Sequence, residues 1–135
     1  METKFNSQIC TTREQSEKLI ALGLKKETAD MAYLWYGRAE DGSPLLMDKP
    51  SLVYQGIMTT HDLPAWSLHR LIEMMPRFVE WESGAWFYMS HDDVLYTDLN
   101  YVTRDFSCLG EIYNNVISAI EWLINEGYFN KEYLV

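Results

Sequence analysis

The sequence predicts an α+β fold, a small antiparallel β-meander with helices packed on one of its faces, with residues 1–135 forming a single domain. Three observations carry this expectation. Apolar residues recur at helical spacing toward both ends of the chain, and between them the pattern switches to period two in aromatic and β-branched segments. Helices before and after a run of strands, rather than alternating with them, belong to the α+β class. A length of 135 residues suffices for one hydrophobic core and is short for two, and 47% hydrophobic with 23% charged residues is a globular composition.

The first helix follows from "TTREQSEKLIAL". Either Thr11 or Thr12 can cap it, Glu14 or Gln15 sits three residues on as a capping box requires, and Gly23 supplies the stop. "KKETADM" then reads as a short second turn, and "AYLWY" (32–36) as a strand or the end of that turn. Residues 37–62 are rich in Gly, Pro, Asp and Ser around one apolar island, "SLVYQGIM". A structureless loop of that length is unusual in a compact domain, so the island pairs into a sheet or the segment is a functional or variable insertion.

In "DLPAWSLHRLIEMMP", Pro64 suits a first helical turn with Asp62 as its cap. Leu68, Leu71, Ile72 and Met75 recur at helical spacing, and Pro76 ends the run. On the polar side His69 and Glu73 are four apart and adjacent. "RFVEWES", "AWFYMS" and "VLYTDLNYVTR" are the meander, separated by the turn signals Ser83-Gly84 and His91-Asp92-Asp93. Alternation puts Val79 and Trp81 on one face, and Phe78, Glu80 and Glu82 on the other. Ser107 or Cys108 opens the strongest element, with a stripe of Leu109, Ile112, Val116, Ala119, Ile120 and Leu123. Glu111, Asn115, Ser118, Glu121 and Asn125 stand opposite, and Gly127 is the stop.

Candidate chemistry is sparse. The chain has no G-x-S-x-G, G-x-x-x-x-G-K, G-x-G-x-x-G or H-E-x-x-H pattern. Cys10 and Cys108 form no C-x-x-C pair, have no histidine nearby in sequence, and are expected as free, half-buried thiols. Two His-Asp pairs, His61-Asp62 and His91-Asp92, together with His69, Glu73 and Asp93, offer ligand types suited to zinc, manganese or iron. They define one functional alternative, a metal-dependent hydrolase. Helix capping by Asp62 and a hairpin turn at Asp92-Asp93 account for the same residues without a metal, so no metal or other cofactor is expected. Glu80 and Glu82 share a strand face and could in principle do acid–base work, though an exposed strand explains them.

Charge and aromatic content point to contact rather than catalysis. Residues 71–135 carry three Lys/Arg against eleven Asp/Glu, an acidic field of about −8 within a net charge of −9. Such a field repels phosphate backbones, which disfavours nucleic acid and suits a basic protein partner. Five Trp, nine Tyr and five Phe exceed what one small core holds, and surplus Trp and Tyr are typical of interfaces. Glu80, Trp81, Glu82 and Trp86, an acid–aromatic mixture within one hairpin, are the candidate partner-binding residues, and a homo-oligomer is compatible with such a surface. No run approaches a membrane span or a signal-peptide core, so no membrane association and a cytoplasmic location are expected.

"CTTREQSEKLIALGLKKETADM", "PAWSLHRLIEMMP" and "AIEWLINEGYFNKEYL" resemble a family of short uncharacterised bacterial proteins of gut commensals, often found in phage or mobile-element surroundings. The blocks cover both ends and the segment after Pro64, while residues 37–62 are shorter here than in that family. The resemblance implies a biological setting and assigns no catalytic or binding residue. The expectation is therefore a small accessory protein acting by protein contact.

Overall fold

The computed structural model describes residues 8–53, 59–82, 84–90, 93–98, 103–107 and 111–135. The described residues form a mixed α+β fold of three α-helices and antiparallel sheets. Helix α1 (Arg13–Ala21) starts where the local sequence requires. The Gln15 N–H donates to Thr12 Oγ1 (3.2 Å) while the Thr12 N–H donates to Gln15 Oε1 (2.9 Å), a reciprocal capping box. Gly23, at φ 105°, takes the left-handed position just past its end. A 3-10 turn (Lys26–Thr28) follows.

"AYLWY" resolves into parts of two strands, β1 (Met31–Tyr33) and β2 (Trp35–Arg38), belonging to different sheets with Leu34 between them. The segment from 37 to 62 does pair: β3 (Pro44–Leu46) folds back on β2, and β4 (Ser51–Leu52) flanks β1. The remainder of the apolar island, 54–58, lies outside the described residues. On the other side of β1 runs β5 (Leu63–Ala65), completing the order β4-β1-β5.

Here the expected helix start is corrected. Pro64 is a buried strand residue opposite Ala32, and helix α2 (Leu68–Met74) begins four residues later, capped by Ser67 rather than by Asp62. Proline is tolerated because β5 is an edge strand, where a missing N–H breaks no ladder. Ser67 Oγ accepts the Arg70 N–H (3.1 Å), and the Ser67 N–H in turn donates to Asp30 Oδ1 (2.8 Å). The helix stops at Met75, extended as a residue before proline must be.

The meander is the four-stranded sheet β6 (Phe78–Val79), β7 (Ala85–Met89), β8 (Val94–Thr97) and β9 (Thr103–Asp105), in sequence order. Its register sets Phe78 opposite Trp86, Trp86 opposite Thr97, and Tyr88 opposite Leu95. Ala85, Val94 and Tyr96 are fully buried on the inner face, against which helix α3 (Ile112–Asn125) packs. Val116, Ala119, Ile120 and Leu123 have no exposed surface, and Gly127 ends the helix at φ 79°.

Two expectations for α3 are corrected. Ser107 does not open it. Ser107 Oγ accepts the Val94 N–H (3.0 Å), fastening the end of β9 to β8, and the helix starts five residues later behind Glu111, which makes no side-chain cap. Cys108 and Leu109 lie outside the described residues. Asn115, placed on the polar side, is fully buried together with Tyr113 and Ile117, because α3 touches α1 and α2 as well as the sheet. Apart from this main core, Cys10, Met31, Tyr33 and Ala65 form a small satellite cluster beneath the β4-β1-β5 sheet. Among the described residues, no helix is long and apolar enough to cross a membrane.

Candidate interaction surface

The period-two rule divides β7 cleanly. Ala85, Phe87 and Met89 turn toward the core, and Trp86 and Tyr88 turn away from it. Trp86 is 56% exposed, Tyr88 52% and, on the neighbouring strand, Phe78 43%. Large aromatic residues so open to water on one sheet face are the least expected feature of the fold, since burying any of them would be favourable by about 1.5–3 kcal/mol.

Two of these rings brace each other. Phe78 and Trp86 are cross-strand partners with centroids 5.0 Å apart and planes at 57°. Phe78 also lies directly on Gly84, where an added Cβ would sit 2.7 Å from its Cζ. Gly84 itself has φ 100° and donates its N–H to Trp81 O (2.9 Å), closing the β6–β7 connection. Half-buried Leu95 and Thr97 extend the face across β8, whereas Glu80 and Glu82 share no strand face, because β6 ends at Val79 and both stand exposed in the connection to β7, Glu82 at φ 55°.

Of the four candidate partner-binding residues, Trp86 is on this face, and Glu80 and Glu82 are exposed in the connection that precedes it. Trp81 faces the core, set edge-on to Trp122 with centroids 5.7 Å apart. Trp122 is the hub of the aromatic content, with Tyr96, Phe106 and Tyr128 also within 5.7 Å of it. Tyr88 and Phe78 were not singled out as partner residues, although the alternation in "AWFYM" places Tyr88 beside Trp86.

The His-Asp residues are dispersed. Asp62 is buried and its carboxylate accepts the N–H groups of Trp35 (2.8 Å) and Thr59 (3.0 Å). Burial pushes its pKa up, but these bonds and the neighbouring His61 outweigh that and hold it below the ordinary carboxylate value. His61 stacks on Trp35 at 4.6 Å. His69, on α2, is exposed and meets Glu73 (3.4 Å). Among the described residues no three His, Cys, Asp or Glu side chains converge as metal ligands. His91 and Asp92 lie outside them, and Asp93 accepts the Ser90 hydroxyl (2.9 Å) at the β7–β8 connection.

Other groups are equally committed. Cys10 is buried rather than half-buried, 3.8 Å from the Tyr33 hydroxyl, which donates to Thr11 O (2.9 Å). Burial raises the thiol's pKa, only partly offset by Tyr33, and pushes Tyr33 up to about 12, so both stay protonated at neutral pH and neither is a ready nucleophile. A cleft of about 330 Å³ between β9 and α3 is lined by Arg104, Asp105, Glu121 and Trp122 among others. Its acids are occupied: Glu121 meets Lys18 (3.1 Å), and hydrogen bonds from Ser107 hold Asp105 below the usual carboxylate range.

What fold and surface define together is an α+β protein with one face of its meander packed by a helix and the other carrying exposed, braced aromatic rings. Comparison with family models, with curated proteins and with solved structures finds no match.

Proposed function

We propose that this chain is a small cytoplasmic accessory protein of phage or mobile-element type, without catalytic activity, that binds a basic protein through the outer face of its meander. The observation that carries the reading is the exposure of Phe78, Trp86 and Tyr88 on a sheet whose other face buries Val79, Ala85, Val94 and Tyr96. Rings immobilised before binding lose little side-chain freedom on association, which is why Trp and Tyr dominate interface hot spots. The acids Glu80 and Glu82 beside them, within a chain of net charge −9, supply the complement to a basic surface.

The test is to recover partners from an extract of the host, purify each pair, and measure binding with Trp86→Ser and with Glu80→Gln/Glu82→Gln. A basic partner whose affinity drops at least about tenfold in each variant supports the reading, a typical loss for a hot-spot residue. An acidic partner, binding of duplex DNA at physiological salt, or indifference to all three residues contradicts it.

A further inference from the structure

Resting on that reading of the outer face, we infer that the partner is engaged through an arginine side chain whose planar guanidinium stacks between Trp86 and Tyr88. Alternate residues on a strand stand about 6.8 Å apart on the same face. That spacing is close to twice the ~3.5 Å contact distance of flat groups, so two rings at positions i and i+2 leave room for one planar group between them. Trp86 and Tyr88 are such a pair, both more than half exposed.

The neighbouring side chains suit a planar group in that position. Phe78 braces Trp86 from the adjacent strand, and Gly84 leaves the space in which Phe78 lies. Leu95, opposite Tyr88 and half-buried, offers an apolar floor for the methylene stem of a long side chain. Glu80 and Glu82 follow β6 on the Gly84 side of Trp86, away from Tyr88, so they add to the acidic field around the rings rather than touching the guanidinium.

Guanidinium fits these features better than the other planar or cationic groups. Lysine's ammonium is a compact, strongly hydrated point charge that cannot fill a slot between two rings. A nucleobase is flat, but it brings phosphates into an acidic field. Arginine combines a weakly hydrated plane with positive charge, and tryptophan and tyrosine are the better rings for it.

The experiment compares three probes on the full chain: a short peptide of alternating glycine and arginine, its lysine counterpart of equal charge, and a single-stranded oligodeoxythymidylate. Binding is followed by titration calorimetry in every variant and, where Trp86 is retained, also through its indole N–H resonance. The indole of Trp66, buried and donating to Thr28 Oγ1 (3.0 Å), reports that the fold is intact. The arginine peptide is expected to bind about tenfold tighter than the lysine peptide, the scale of a desolvated cation–π contact. That preference should vanish in Trp86→Leu and, independently, in Tyr88→Leu, which keep apolar bulk and remove a ring. Equal binding of both peptides, lost in Glu80→Gln/Glu82→Gln, would overturn the arginine slot while leaving the basic-contact reading standing. Failure of the arginine peptide to bind would likewise overturn it. An arginine preference that survives both leucine variants would also refute it. Tighter binding of the oligonucleotide would overturn this inference and the proposed function together.

Discussion

Two residues illustrate how a single position can be fixed by chemistry distant in sequence. Gly84 is held by its φ of 100° and by the Phe78 ring on top of it, so Gly84→Ala meets both a backbone penalty and a clash. The backbone term alone is about 1–2 kcal/mol. Urea unfolding of Gly84→Ala should show at least that loss, and the Trp86 resonance should shift because its brace has moved. Asp62 joins the turn at Thr59 to the start of β2 through two backbone N–H groups. Asp62→Asn keeps one acceptor but turns an amide NH₂ toward the second donor, a loss of about 1–3 kcal/mol at neutral pH. Because the folded-state pKa of Asp62 is lowered, its contribution is present above the unfolded value near 3.9 and lost as pH falls through the lower folded value. Stability measured from pH 5 down to pH 2 should therefore fall more steeply for the parent than for Asp62→Asn.

At the scale of elements, the two faces of the meander should behave oppositely. Leu123 has no exposed surface beneath the sheet, and Leu123→Ala should cost about 2–5 kcal/mol in chemical denaturation. Trp86→Ser, on the outer face, should cost about 1 kcal/mol or less despite removing a larger side chain. Comparable losses at both positions would mean that the outer rings are part of the core. The elements legible in the sequence are those specified by neighbours in the chain. The Thr12–Gln15 capping box, the stops at Gly23 and Gly127, and the alternation in "AWFYM" each need only a few adjacent residues. The starts of α2 and α3 are not legible for the opposite reason. Asp62 and Ser107 are good caps by type, yet they accept N–H groups from Trp35 and Val94, partners 27 and 13 residues away that no local pattern reveals. Asn115 was misplaced because amphipathic periodicity assumes one packed side, whereas α3 is covered by the sheet and by both other helices. At the candidate surface the sequence singles out this hairpin and Trp86, whose exposure the structure shows. It paired Trp86 with Trp81, which the β6–β7 connection turns inward toward Trp122, rather than with Tyr88.

For the whole molecule, the proposed function divides the work of binding between charge and aromatic rings. Eleven acids against three cations in residues 71–135 create a field that acts over the distance set by salt, whereas the rings act only on contact. The proposed function therefore makes a kinetic claim: the field sets how fast a basic partner arrives, and Trp86 and Tyr88 set how long it stays. The most direct measurement is the association and dissociation rates of the purified pair between 0.1 M and 1 M salt, over which the Debye length shortens from ~10 Å to ~3 Å. The association rate is predicted to fall by at least about tenfold while dissociation changes much less. In Trp86→Ser the salt dependence of association should persist and dissociation should accelerate. An association rate that is flat or rises with salt, or a Trp86→Ser variant that dissociates no faster than the parent, would contradict the account.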